Sequence, residues 1–322
     1  AVKTNTNIAP EFDDPIRSSA MHLPAKITMV EVGPRDGLQN ETRSLSAVER
    51  VSLINQLRQA GLSVIESGSF VSPKWVPQMA HTDQVLAGLD MTQHVRYPVL
   101  VPNMKGFQGA VAAGARDIAV FAAASETFSR RNINCSIDES FRRFHEVCQA
   151  AKDKGIAVRG YISCVLGCPY EGAVDVAAVT RVAKRLMQAG CYEISLGDTV
   201  GVGTPAKAQA MIKDVSTQVP VEKLAAHFHD TYGQALANLL AVMQLGVATI
   251  DSSVAGLGGC PYASGAAGNV ASEDVLYMLD GLGVKTGVEL AALIEAGRNI
   301  CDLLAKSPVS KVSQASQAWK EK

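Results

Sequence analysis

Several broad classes of protein are excluded by what this chain does not contain. Its 322 residues carry a formal net charge of −1, so no polycationic surface is available for nucleic acid or acidic membrane. No apolar run approaches the ~18 residues that a bilayer-spanning helix needs. The opening stretch AVKTNTNIAPEFDDPIRSSAM has no apolar core of a signal peptide, and Glu11, Asp13 and Asp14 argue against a transit peptide. Residues 1–24 therefore read as an extension ahead of the folded part. The seven cysteines are an odd number without the spacing of a disulfide scaffold. Cys164 and Cys168 are separated by three residues, not the two of a zinc knuckle or a thioredoxin pair. Reduced thiols in a cytosol-like compartment are the expectation.

One local pattern recurs: an amphipathic helix, a glycine, then a short apolar strand. It appears in QLRQAGLSVIES, AVAAGARDIAVF, AAKDKGIAVRGYI, LMQAGCYEISL and VMQLGVATIDSS. Gly61, Gly114, Gly155, Gly190 and Gly246 stand where a helix terminus wants a left-handed residue. The strands that follow are nearly continuous apolar runs, as in a parallel sheet buried on both faces. Adding ITMVEV (27–32), HVRYPVLV (94–101) and KLAAHFH (223–229) brings the strands to eight. Ser46 and Glu49 form a capping box, and Thr204-Pro205 marks another helix start. Eight βα units in ~255 residues without a compositional break predict a (β/α)8 TIM barrel, α/β in class. Residues 25–312 are assigned to this barrel and one additional C-terminal helix, and 313–322 to a polar, frayed tail.

In such a barrel the chemistry lies at the C-terminal ends of the strands. The first strand leads into EVGPRDGLQNE, placing Arg35 and Asp36 there. Glu66 ends the second, Asp198 the sixth, and AHFHD puts His227, His229 and Asp230 at the end of the seventh. Residues i and i+2 of a strand share a face, so the two imidazoles point the same way. Alone, such a pair serves core packing about as often as a metal. Its convergence with several carboxylates favours a cation, with Asp36 offering a carboxylate oxygen and Asn269 an amide oxygen. A mixed nitrogen and oxygen set suits Mg2+ or Mn2+ better than structural zinc. Arg35 and Asp36 also fit a plain rim ion pair. Arg130 and Arg131 fit either a surface helix or contact with an anionic substrate, while Cys164, Cys168 and Cys191 read as small apolar residues.

After the eighth strand comes VAGLGGCPYASGAAGNV, rich in glycine around Cys260. It matches neither GxxxxGK(S/T) nor GxGxxG, and SEDVLYML (272–279) reads as a capped helix after it, which argues against a linker. A lid that carries Cys260 over the barrel mouth remains. A thiol near a dication and an arginine is suited to proton transfer. From the residues alone, the chain reads as a metal-dependent barrel enzyme for an oxygen-rich anionic substrate.

The segments EVGPRDGLQNE, SETFSRRNINCSIDES, GYISCVLGCPYEG, YEISLGDTVGVGTP, AHFHDTYGQALAN and SSVAGLGGCPYASGAAGNVASED resemble the 3-hydroxy-3-methylglutaryl-CoA lyases. The resemblance runs from about Ile27 to Val312, and the GLGGCPYA loop is its most specific part. It implies divalent-metal-dependent cleavage of HMG-CoA to acetyl-CoA and acetoacetate, in leucine degradation and ketone-body formation. It implies Asp36, His227, His229 and Asn269 as ligands of Mg2+ or Mn2+. Arg35, Asp36, Glu66, Asp198 and Cys260 would be the catalytic positions, with Arg35 on the thioester oxygen. The partners implied are an acyl-CoA substrate and a second copy in a homodimer, with no nucleic acid or membrane. A bacterial-type cytoplasmic enzyme is expected, or a matrix enzyme if the chain is a processed mitochondrial form. With no cysteine beyond Cys301, regulation through a C-terminal thiol is not expected. Rival readings are a lyase for a longer branched homologue, an acyl-CoA condensing synthase on the same barrel, and a non-enzymatic metal-binding barrel.

Overall fold

The computed structural model describes residues 21–92, 94–259 and 268–320. Residues 1–20 of the expected extension lie outside them. A single parallel sheet collects β1 (Thr28–Glu31), β2 (Val64–Ile65), β3 (Gly68–Ser69), β4 (Val99–Leu100), β5 (Asp117–Ala123), β6 (Ala157–Ser163), β7 (Glu193–Asp198), β8 (Leu224–Phe228) and β9 (Thr249–Ser252). Its order is β2-β1-β9-β8-β7-β6-β5-β4-β3. The two ends of that list are halves of one strand, interrupted at Glu66 and Ser67. The Glu66 amide donates to the Glu31 carbonyl at 2.9 Å on one side. Ile65 and Ser67 donate to the carbonyls of Arg96 and Pro98 on the other. The sheet thus curls round and meets itself along this seam. This is the TIM-barrel architecture that the alternation predicts.

Helices α1 (Ala47–Gln59), α2 (Thr82–Ala87), α3 (Met104–Ala112), α4 (Glu126–Ile133), α5 (Ile137–Asp153), α6 (Val176–Gln188), α7 (Pro205–Val215), α8 (Ala235–Met243), α9 (Ser272–Gly281), α10 (Leu290–Leu304) and α11 (Lys311–Lys320) complete the described elements. The Ser46 capping box opens α1, and the five glycines after helices all have positive φ. Two expected starts differ. Thr204 precedes α7 without a side-chain cap, leaving Pro205 to set the first turn. Ser272 is not a cap: α9 starts from Ala271, and the Ser272 hydroxyl instead reaches Glu31 at 2.6 Å. The expected frayed tail is instead the helix α11, because Asp274 of α9 accepts from the Ser310 hydroxyl and the amides of Lys311 and Val312.

The outward face of each strand supplies the main core. Ile118, Val120, Ile162, Ile194, Leu196, Leu224, Ala226, Phe228 and Ile250 pack with apolar residues of the helices. The inward face is more polar than the apolar runs suggest. Arg159 pairs with Asp251 and Glu193 at 2.7 Å each, and the Thr249 hydroxyl donates to Glu193. This ionic layer lies inside the barrel below the mouth. A buried arginine needs such partners, because an uncompensated charge there costs several kcal/mol.

Candidate active site

The first βα turn, Gly33–Gly37, is a tight π-helical turn that opens with Pro34 next to its first residue. It presents Arg35 and Asp36 to the mouth. Arg35 lies 2.8 Å from a carboxylate oxygen of Asp36 and 2.8 Å from one of Glu66. Its guanidinium also stands over the Tyr161 ring at 5.6 Å. Glu66 arrives at the seam because the strand breaks there. Its carboxyl is fully buried, and burial raises its pKa against the pull of Arg35. Burial works against the Arg35 charge too, but the two carboxylates hold the guanidinium firmly protonated.

On β8 the alternation places Leu224, Ala226 and Phe228 outward, so His227 and His229 face inward together. Their rings lie 5.6 Å apart between centroids. Asp36, His227 and His229 each offer a ligand atom, all within 4.8 Å of one another. Burial alone would raise the Asp36 carboxyl, yet Arg35 foremost, with His227 and the Asn269 amide, outweighs it and keeps it below its ordinary range. Burial, reinforced by His227, pushes His229 down to about 4, so its ring is neutral at pH 7 and keeps a free lone pair. Its Nδ1 is buried without a hydrogen-bond partner among the described residues. An orphaned, neutral imidazole nitrogen beside an ionised carboxylate is the donor set that a divalent cation completes. The residues therefore fit the expected metal. Asn269 lies in the same place: its amide reaches Asp36 at 2.8 Å, and its backbone bridges to His229.

The base of the glycine-rich loop is well defined. A Cβ at Gly268 would collide with the carbonyl oxygen of Gly258, so glycine here permits two loop stems to touch. Gly268 also accepts a bond from the Asp230 amide at 2.7 Å. Glu31 fixes the same region, accepting from the amides of Gly33 and Val254 at 2.8 Å each. Glu273 accepts from the Ala255 amide at 2.9 Å and from the Ser313 hydroxyl. Cys260, the thiol of the expected lid, lies outside the described residues.

Asp198 is at the same rim but differently engaged. Its two oxygens accept from the amides of Gly201 at 3.2 Å and Gly203 at 2.8 Å, so it shapes the turn after β7. Arg130 and Arg131 close α4, one near Glu126 and the other over the Tyr170 ring at 4.4 Å. Asp251, Arg159, Tyr161 (whose segment reads from sequence only as shaping a turn), Glu31 and Glu273 are not anticipated by the sequence. For the first three a signal existed. Arg159 and Tyr161 are two apart in a strand, and Asp251 interrupts an apolar strand at an inward position.

A family model described as HMGL-like matches residues 26–300. The 3-hydroxy-3-methylglutaryl-CoA lyase, cytoplasmic, of Danio rerio is 60% identical over 295 residues, 92% of this chain and 88% of that protein. The 3-hydroxy-3-isohexenylglutaryl-CoA/hydroxy-methylglutaryl-CoA lyase of Pseudomonas aeruginosa is 58% identical over 92% of this chain and 98% of its own. The crystal structure of hydroxymethylglutaryl-CoA lyase from Pseudomonas aeruginosa superposes with a TM-score of 0.91 at 57% identity, covering 92% of this chain and 99% of that one. With barrel, mouth and matches in agreement, the chain belongs to the HMGL-like family of carbon–carbon lyases.

Proposed function

We propose that this chain cleaves (S)-3-hydroxy-3-methylglutaryl-CoA to acetyl-CoA and acetoacetate with a divalent cation at the barrel mouth. The observation that carries this reading is the meeting of Asp36, His227 and His229 beside Arg35. These three residues, with Asn269, would hold Mg2+ or Mn2+. The chemistry supplied there is Lewis acidity toward the substrate's C3 hydroxyl and carboxylate, which eases removal of the hydroxyl proton. Arg35 offers a fixed positive charge to the thioester oxygen, where negative charge develops only as the C2–C3 bond breaks. Glu66 and Tyr161 hold that guanidinium in place. Loss of the hydroxyl proton turns C3 into the ketone of acetoacetate, and the electron pair of the broken bond passes to C2 as an enolate. Cys260 returns a proton to C2, with Asp36 or Glu66 taking the first one. Asp198 keeps the neighbouring turn in shape.

The six described cysteines are unpaired and buried, which suits a reducing compartment where acyl-CoA thioesters are handled. Among the described residues no helix is long and apolar enough to cross a membrane. The name of the Pseudomonas aeruginosa relative favours a second substrate, a 3-hydroxyglutaryl-CoA with a longer branch at C3. The homodimer expected from the resemblance is checked by sedimentation of the purified chain.

The test is acetoacetate release from HMG-CoA with Mg2+ or Mn2+, before and after chelation, followed by a series of longer C3-substituted analogues. Release that stops on chelation supports the reading. No product with either metal overturns the lyase assignment, while product indifferent to chelator removes only the cation. Cys260→Ser is expected to retain metal and lose most turnover; unchanged turnover removes Cys260 from the mechanism.

A further inference from the structure

Asp251 is a fully engaged carboxylate inside the barrel, bonded to Arg159, Ser195 and His227. It stands on β9 directly beside His227 in the sheet register. Its Oδ1 accepts from Arg159 Nη2 at 2.7 Å. Its Oδ2 accepts from Ser195 Oγ at 2.7 Å and Arg159 Nη1 at 3.0 Å. The same oxygen lies 3.1 Å from His227 Nδ1. A carboxylate paired with an arginine is ionised and can only accept. The hydrogen bond to His227 therefore requires the ring proton on Nδ1. The opposite nitrogen, Nε2, is the one that lies 3.8 Å from Asp36.

We propose that Asp251 is a positioning residue that sets the His227 ring so that Nε2 is its metal-ligating atom, with Arg159 and Ser195 holding Asp251 in turn. The proposal rests on the metal-dependent reading above. It explains why an arginine is buried in the barrel interior: bidentate pairing denies Asp251 any other orientation. It also separates the two histidines. His227 is oriented by the protein, whereas His229 Nδ1 has no partner among the described residues. Oriented outer partners of this kind typically contribute roughly 10–100-fold to metal affinity.

Asp251→Asn is the informative change. The amide keeps one acceptor oxygen where the carboxylate has two, and it carries no negative charge, so it cannot serve both Arg159 nitrogens, Ser195 and His227 Nδ1 as Asp251 does. The bond that holds the ring proton on Nδ1 is weakened, and the tautomer with its proton on Nε2, toward the cation, can compete. Two measurements on the full chain read this out. Long-range proton–nitrogen NMR of 15N-histidine-labelled, metal-free protein at alkaline pH reports the tautomer. Titration with Mn2+, following free Mn2+ by EPR, reports affinity. The expectation is an Nδ1-protonated His227 in the wild type. In Asp251→Asn the Nδ1 tautomer loses ground to Nε2, and Mn2+ binds roughly 10–100-fold more weakly. Ser195→Ala leaves the Arg159 pair intact, so it folds normally, and it is expected to weaken Mn2+ binding a few-fold.

A wild-type His227 protonated on Nε2 overturns the proposal with no variant needed. So does unchanged Mn2+ affinity in a folded Asp251→Asn protein or, should that variant not fold, in Ser195→Ala. Wild-type protein that takes up no Mn2+ removes the cation itself, and with it the role given to Asp251. That result differs from one in which wild type and variants bind Mn2+ equally.

Discussion

Arg50 is the residue on which the seam of the barrel depends. It is fully buried in α1, and no acidic side chain pairs with it among the described residues. Its guanidinium donates to the carbonyls of Ala80 at 2.9 Å and Ser67 at 3.1 Å, and to the Thr82 hydroxyl at 3.3 Å. Ser67 follows Glu66 at the strand break, so Arg50 holds open the kink that delivers Glu66 to Arg35. Arg50→Ala is expected to cost about 3 kcal/mol, from a cavity plus stranded carbonyls, measured by urea unfolding. Gly268 tests the loop base in the same way. Adding a methyl group drives the two stems apart and shifts Asn269, so Gly268→Ala is expected to lose activity by about 10²-fold. Gly233→Ala is the control, since its added Cβ meets nothing within 4 Å and strains only a positive φ. Equal activities in the two variants would contradict the reading of Gly268. The residues of the mouth were legible because their side chains are chemically unusual in strand ends. Arg50 was not, since an arginine in an amphipathic helix reads as a surface charge until its tertiary acceptors are known.

At the scale of elements, the caps divide into local and borrowed ones. The α1 box is written within four consecutive residues, Ser46 to Glu49, and sequence reads it directly. The glycines after the helices are legible for the same reason, since each answers a need of its own helix end. The start of α11 is only partly local: Ser310 accepts from the Ser313 amide at 3.0 Å, while the amides of Lys311 and Val312 are capped by Asp274, which belongs to α9. Nothing in SKVSQASQAW announces the Asp274 contacts, and its small polar residues suggested fraying in spite of the local serine cap. Asp274→Ala leaves three donors without their acceptor and is expected to cost about 1–2 kcal/mol. Faster proteolytic trimming at the C-terminus, with the barrel melting little changed, would be the signature. Trimming at the wild-type rate would show that α11 is held by something else. The strand break between β2 and β3 was hardly legible: Gly68 in VIESGS is a weak signal, and the close approach of Arg50 and Thr82 that leaves no room for a side chain there is tertiary.

At the scale of the molecule, the buried carboxyl of Glu31 joins the first strand to the last quarter of the chain, and that of Glu273 ties parts of that quarter together. Burial pushes Glu31 up to about 7 and Glu273 up to about 8. A carboxyl whose pKa is higher folded than unfolded binds more protons in the native state between the two values. Stability from it is complete below about 4.5 and falls as pH rises toward 7 or 8. One such proton corresponds to a slope of about 1.4 kcal/mol per pH unit. Glu31→Gln mimics the protonated acid, with its amide able to donate toward Ser272. Its unfolding free energy should therefore decline less than the wild type's between about pH 5 and pH 7, followed as denaturation midpoint against pH. Parallel curves would show that Glu31 does not titrate in that window.

The contacts of Glu31 also fix the order in which this protein can come into being. Its amide donor Val254 and hydroxyl donor Ser272 are made long after it, and β1 pairs with β9, the last of the described strands to be synthesised. At roughly 5–20 residues per second, a ribosome exposes the open edge of β1 for many seconds before its partner emerges. Asp36 spends the same interval apart from His227, His229 and Asn269. An unfinished chain thus has neither a closed sheet nor a complete site, and its free edges invite pairing with the wrong strand. Catalytic competence and protection from aggregation arrive together, with the last quarter of the polypeptide.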